Sequence, residues 1–448
     1  MTGDLDAAIA VAVDTAVADG DLAGPQPLRC PVPPATSHPS ATAAGRPVPP
    51  GTWRPVPPGA GGGPGSYATT IPFVLASQTA ADPAQVAAVL AARLRSRAEI
   101  SQVAVTGGGY LSITVTQDAL ARLAVRISQA GPGCARSHSL NGTRVSAPRD
   151  ARLSFARTWP EACQRLGAEL AGRLAAAAGA ELTWTHPPAA GSPLDWTQPP
   201  AGGAERNPTR PPRPGPVADA IAFAGEDAIR FALSRTVPGR PGPGRRMPPI
   251  DLRAVAAQHL GNPAYAVRYA HAHAASAVRQ AADLGLPRGD AERFQPRLLA
   301  HPSERALLDA MSWLPERVAG AARRRQPQVL AAFLADLAGK YLDCQEDCPA
   351  MQPGALAEEL LVAEGPQLAE GLLVADGPQS AGGSRVAQGR QPMEGPHVAQ
   401  EPRRLPGHGL PQQGGNPLLS ARLWLADAAR TALGAGLGLL GVAAPGRR

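Results

Sequence analysis

Residues 261–285 read GNPAYAVRYAHAHAASAVRQAADLG, with two tyrosines, two histidines and two arginines in a chain that is 4% aromatic. Rings beside guanidinium groups suit one chemistry in particular: rings stack on unpaired bases, and the planar guanidinium fork takes two phosphate oxygens at once. The same side chains also serve as plain helix cover, with tyrosine bodies laid on neighbouring helices and their hydroxyls in water. Spacing sorts them. Asn262 is a good N-cap, Pro263 suits the first helical position and Gly285 stands where a left-handed C-cap would sit, so the stretch predicts one helix over roughly 263–284. At about 100° per residue, Val267, Ala270, His271, Ala274, Ala277, Val278 and Ala281 share a packing face. Tyr265, Arg268, Tyr269, Ser276, Arg279 and Gln280 share the opposite one. His271, among Val267, Ala274 and Val278, reads as a buried, hydrogen-bonded imidazole rather than a ligand.

Composition narrows the partners. The net charge is +7, and with a single lysine, Lys340, nearly all the positive charge is arginine. That favours phosphate-bearing partners, although a GC-rich genome preferring arginine codons would give the same excess. The 50 prolines and 49 glycines among 448 residues exceed ordinary shares of about 5% and 7%, so the folded part is smaller than the length implies. Five scattered cysteines form no disulfide framework and fit a reducing compartment. Cys344 and Cys348 lie four apart without a second ligand pair, so no metal is expected. The opening MTGDLDAAIAVAVD is acidic where a secretion signal is basic, and the longest apolar run, Thr431 to Ala444, falls short of the roughly 20 residues that span a bilayer. The expectation is a cytoplasmic protein without membrane contact.

The elements that must position the 261–285 helix fall into two folded regions. Leu5, Ile9, Val13 and Val17 recur every four residues and predict a helix over 4–19, followed by a Pro/Gly-rich flexible insertion at 24–65. SYATTIPFVLASQ reads as helical, and Asp82-Pro83 starts a further helix. QVAVTGGGYLSITVT, at 102–116, alternates on both sides of its glycines like a hairpin, and Asp118 caps a helix running to about Gln129. Residues 130–217 read as a linker, with one helix at Pro160–Ala178 and a strand, AELTWT, as a short α/β remnant. From Val217 the periodicity is helical: VADAIAFAGEDAIRFALSR, then Ile250–Leu260, the 263–284 helix, further helices through HPSERALL and beyond, and a last one at Leu418–Leu440. The loosely repeating 351–414 (LVAEGPQ, LVADGPQ, RVAQGRQ, HVAQEP) is too poor in apolar residues for a solenoid and reads as a disordered insertion.

Several of these stretches resemble arginyl-tRNA synthetases. EDAIRF at 226–231 is similar to the DALR element that names their anticodon-binding domain, and NPAYAVRYAHAH to their Asn-Pro-x-Tyr-x-x-x-Tyr-Ala-His-x-Arg run. HPSERALL and LGLLGVAAP resemble that family's later helices. GSYATTIPFVLA and TGGGYLSITV look like its additional amino-terminal domain, which in that family supports the elbow of the tRNA. The resemblance implies an α+β protein: a small amino-terminal α/β domain over 1–129, a Pro/Gly-rich linker over 130–217, and an all-α DALR-type anticodon-binding bundle over 218–448. It implies the anticodon stem-loop of a tRNA as partner, met by Tyr265, Arg268, Tyr269, Ser276, Arg279 and Gln280.

The departures matter as much. His273 replaces the family's usual arginine, and Ser66, Thr70 and Ser112 stand where the family favours Asp, Asn and Asn, so elbow binding is expected to be lost while the fold persists. A class I synthetase also needs a Rossmann catalytic domain with an H-x-G-H signature and a K-M-S-K loop. Neither signature occurs, and Lys340 sits in the wrong domain to supply the loop. Without cations held against the leaving pyrophosphate, adenylate formation loses the electrostatic stabilisation it depends on. The expectation is therefore a non-catalytic tRNA-binding protein with no catalytic residues, cofactor or metal. Two alternatives stand beside it: an arginine–tRNA ligase whose catalysis is divergent or supplied in trans, and a protein-interaction scaffold with a protein partner.

Overall fold

The computed structural model describes residues 1–22, 53–56, 62–79, 81–148, 153–185, 216–236, 250–286, 288–351 and 416–446. All but the first residue of the repeating 351–414 stretch, most of the 24–65 insertion and residues 186–215 of the linker lie outside them. Residues 1–350 and 418–448 belong to one unit.

In the amino-terminal region, helix α1 (Thr2–Ala18) buries Leu5, Ile9 and Ala16 on the side facing α3 (Pro83–Leu94). Strands β1 (Trp53–Pro55), β2 (Ser66–Thr69), β3 (Ile100–Thr106) and β4 (Tyr110–Val115) form an antiparallel sheet in the order β1-β2-β4-β3. Leu111, Ile113 and Val115 of β4 alternate inward against Leu90 and Leu94 of α3, as period-two patterning requires. The three hairpin glycines all have positive φ, and a Cβ on Gly109 would come within 2.8 Å of Pro83, so only glycine fits there.

SYATTIPFVLASQ is not one helix. Ser66–Thr69 pairs between β1 and β4, with Tyr67 opposite Ile113, and only Ile71–Thr79 is helical (α2). Sheet pairing on both sides of Tyr67 overrides the local pattern. Helix α4 (Gln117–Ala121) is capped by Thr116, whose hydroxyl accepts from Ala119 N–H at 3.2 Å, rather than by Asp118; α5 (Leu123–Ala130) follows.

Within 130–217, β5 (Arg144–Pro148) and β6 (Glu181–Thr185) run parallel, joined through α6 (Trp159–Ala177). This is a single β–α–β unit. Sequence reading found the helix and the second strand but not β5. The helical region comprises α7 (Pro216–Ala224), α8 (Glu226–Thr236), α9 (Leu252–Ala256), α10 (Pro263–Asp283), α11 (Pro302–Ser312), α12 (Leu314–Arg324), α13 (Pro327–Asp347) and α14 (Pro417–Leu439). Gly225, at φ 85°, divides α7 from α8, and α10 and α8 both pack on α13 through a core holding Leu330, Leu337 and Tyr341. A buried ion pair ties α6 to α8: Arg230 meets Glu169 at 3.1 Å, and Glu169, fully buried, also takes Arg173 at 2.8 Å.

The amino-terminal region packs directly on α11 and α12. The Tyr67 hydroxyl donates to Ser312 Oγ at 2.9 Å, and Gly65 N–H donates to Asp309 Oδ1 at 2.8 Å. The Tyr67 ring lies 5.2 Å from that of Trp313 and edge-on to Trp53, whose Nε1 donates to Asp6 at 2.6 Å. Trp53 thus anchors a strand inside the segment that composition marks as a flexible insertion. Among the described residues no helix is long and apolar enough to cross a membrane, and no cluster of three His, Cys, Asp or Glu could hold a metal. Cys344 and Cys348 are both buried.

Candidate nucleic-acid interface

Helix α10 forms where its caps dictate. The Asn262 side chain accepts from Ala264 N–H at 3.1 Å, Pro263 opens the first turn, and Gly285 takes φ 72°. There Gly285 and Leu286 return hydrogen bonds to Ala282 and Ala281, closing the Schellman pattern. The other end of the Asn262 amide reshapes what precedes it. Its Nδ2 donates to the carbonyls of Val255 (2.9 Å) and Ala257 (2.7 Å), which is why α9 stops at Ala256 instead of running from Ile250 to Leu260 as its periodicity suggests.

That shortened helix opens a cleft of ≈ 280 Å³ between α7, α8, the α9–α10 connection and α10, lined by Tyr265, Arg268, Tyr269, Gln258, Ala228 and Pro445 among others. Pockets that enclose whole small molecules run to roughly 300–1,000 Å³. The cleft lies at the lower edge of that range.

The six residues predicted on this face divide into two groups. Tyr265, Arg268 and Tyr269 meet at the cleft, half-buried. The two tyrosine rings stack at 5.8 Å with 21° between planes. A ladder continues inward from Tyr269 to His273 (6.1 Å) and on to the fully buried Tyr341, whose hydroxyl lies 2.9 Å from His273 Nδ1. His273 is thus fastened to the core. Arg268 lies 3.7 Å from Asp227 of α8 and remains 37% exposed, enough for its guanidinium to reach a second anion.

Ser276, Arg279 and Gln280 sit further along α10, with Arg279 about 21 Å from Tyr265 at 1.5 Å per residue. Arg279 donates to Ser276 Oγ at 3.0 Å and to the carbonyl of Gly446; it and Gln280 are exposed. The face is thus an aromatic cleft at one end and a single exposed arginine, Arg279, at the other. His271 is buried as the sequence suggests, its Nδ1 2.9 Å from the carbonyl of Pro445, and burial lowers its pKa below the ordinary histidine value.

Sequence reasoning missed two neighbours of the cleft. Phe223 (62% exposed) precedes the lining residue Ala224, and Leu260 (55% exposed) lies between the lining residues Gln258 and Asn262. The signal for Phe223 was present: it falls off the stripe that buries Val217 and Ala220, leaving an aromatic on the solvent side of α7.

Residues 62–115 match the family model described as the arginyl tRNA synthetase N terminal domain, and residues 267–361 match the DALR anticodon binding domain. The chain is 35% identical over 136 residues to the arginine–tRNA ligase of Clavibacter sepedonicus, covering 30% of this chain and 23% of that one. It is 30% identical over 229 residues to that of Frankia alni, covering 51% and 30%. The matched stretches therefore span less than a third of either relative. The arginyl-tRNA synthetase of Thermus thermophilus superposes with a TM-score of 0.48 at 14% identity, covering 99% of each chain, a likeness that supports no assignment by itself. The two family-model matches run in chain order, so over residues 62–115 and 267–361 the chain is similar to the amino-terminal and DALR anticodon-binding domains of arginyl-tRNA synthetases.

Proposed function

We propose that the chain binds tRNA through the cleft face of α10 and does not itself aminoacylate it. The observation that carries the first half is the stacked Tyr265–Tyr269 pair beside Arg268, on the helix where the DALR match begins. Stacked rings next to a partly free guanidinium offer an unpaired base a platform and its phosphate a counter-charge. The second half rests on the sequence, which contains neither H-x-G-H nor K-M-S-K. In addition, the described residues between the two matched regions hold a single β–α–β unit where a synthetase requires a full Rossmann domain.

Titration of labelled bulk tRNA at low salt tests binding; saturable binding that weakens with salt is the expected result, and its absence defeats the reading. The names of the relatives favour a second reading, an arginine–tRNA ligase with divergent or trans-supplied catalysis. Pyrophosphate exchange with ATP and arginine separates the two: no exchange is expected, and turnover above a heat-treated control would establish the ligase.

A further inference from the structure

The segment that follows α14 runs beside α10, touching His271 of its packing face and Arg279 of the candidate face. Gly441 turns at φ 67° where a Cβ would come within 2.8 Å of Arg230, so the turn is seated against the buried Glu169–Arg230 pair, and Val442 is buried directly after it. Beyond Val442 the segment meets α8 and α10 through polar contacts, and its residues are largely exposed. Ala443 N–H donates to Asp227 Oδ1 at 3.1 Å, the Pro445 carbonyl lies 2.9 Å from His271 Nδ1, and the Gly446 carbonyl accepts from Arg279. Asp227 is also the partner of Arg268, and Pro445 lines the cleft. Both arginines of the candidate interface are therefore tied, directly or through Asp227, to one short stretch of main chain.

We propose that residues 443–446 form a displaceable strap, a ligand from the chain itself that occupies Arg279 and is seated on Asp227, the partner of Arg268, until RNA replaces it. This rests on the RNA-binding reading of the same face. The chemistry favours exchange: a neutral peptide carbonyl on a guanidinium is a weaker partner than a phosphate oxygen, whose hydrogen bond is charge-assisted on both sides. While the strap is down, only the fraction of molecules with it lifted offers the whole surface, so apparent affinity falls by that fraction.

The experiment compares the full chain with its Ala443→Pro variant, which removes the N–H that reaches Asp227 and leaves every charge in place. Fluorescence anisotropy with labelled bulk tRNA should show about fivefold tighter binding by the variant, the worth of one net hydrogen bond. Hydrogen exchange on the unmodified chain gives a second readout that needs no variant to fold: saturating tRNA should accelerate exchange of the Ala443 amide. If tRNA binds but the Ala443 amide keeps its protection, or the folded variant binds with unchanged affinity, the strap is refuted and the RNA reading stands. If neither chain binds tRNA, both fail.

Discussion

Two of the aromatic clusters among the described residues differ in what covers them. At the junction of the amino-terminal region with α11 and α12, Tyr67 is wholly buried, hydrogen-bonded to Ser312 and flanked by Trp53 and Trp313. On α10, Tyr265 and Tyr269 stack on each other at the lip of a cleft and stay half-exposed. Residue type is the same in both places. What separates a structural tyrosine from a candidate binding tyrosine is whether a second element closes over it, and here α11 and α12 do so at one site while the truncated α9 leaves the other open.

The comparison is most easily broken at the junction. Tyr67→Ala removes a fully buried ring and the bond its hydroxyl donates to Ser312 Oγ, so it should cost about 3–5 kcal/mol of stability. Urea unfolding would register the loss as a lower midpoint; a loss under about 1 kcal/mol would mean the ring is not holding the regions together. Asp6, which accepts from Trp53 at the same junction, has a carboxyl that burial and Glu316 push up to about 6. An acid whose pKa is raised on folding binds more protons folded than unfolded, so stability falls as pH rises from about 4 to 6 and levels off above. Asp6→Asn should abolish that slope and gain up to about 3 kcal/mol at pH 7, since each tenfold change in proton affinity is worth roughly 1.4 kcal/mol. Parallel stability–pH curves for variant and parent would contradict it.

At the cleft the expected effects are on binding rather than folding. Tyr265→Ala with Tyr269→Ala should weaken tRNA binding by roughly ten- to a hundredfold, in line with about 1–3 kcal/mol per stacked base, with a smaller change in unfolding midpoint than Tyr67→Ala. Equal damage to stability would make these rings core after all. The smallest effect belongs to Arg268→Ala, a few-fold loss of affinity that lowers the log–log salt slope by about 0.7, the single-strand value per phosphate. An unchanged slope would mean that Arg268 touches no phosphate.

Much of this was legible in the sequence because it depends on local chemistry. Asn262, Pro263 and Gly285 bound α10 through caps that involve only near neighbours, and the division of its faces follows from helical period alone. What was not legible depends on distant partners. Tyr67 belongs to a strand because β1 and β4 flank it, and no property of SYATT announces that pairing. Strand β5 has five residues, three of them polar or proline, and exists as a strand because β6 runs beside it across α6. The cleft was hidden for a related reason: its opening follows from α9 ending early, which a side chain further along the chain, that of Asn262, decides. Phe223 and Leu260 look like ordinary helix and loop residues until that ending leaves them at the rim.

One amide, that of Asn262, carries an unusual share of this geometry. Its oxygen starts the helix that bears the tyrosines, and its nitrogen stops the helix whose shortness makes room for them. Lip and platform are thus hinged on a single planar group, so a ligand that draws the 255–261 loop inward must also tug on the first turn of α10. Aspartate, almost the same shape, would keep the cap but set an anion against two carbonyls, disconnecting the lip without touching a single residue that a base would meet.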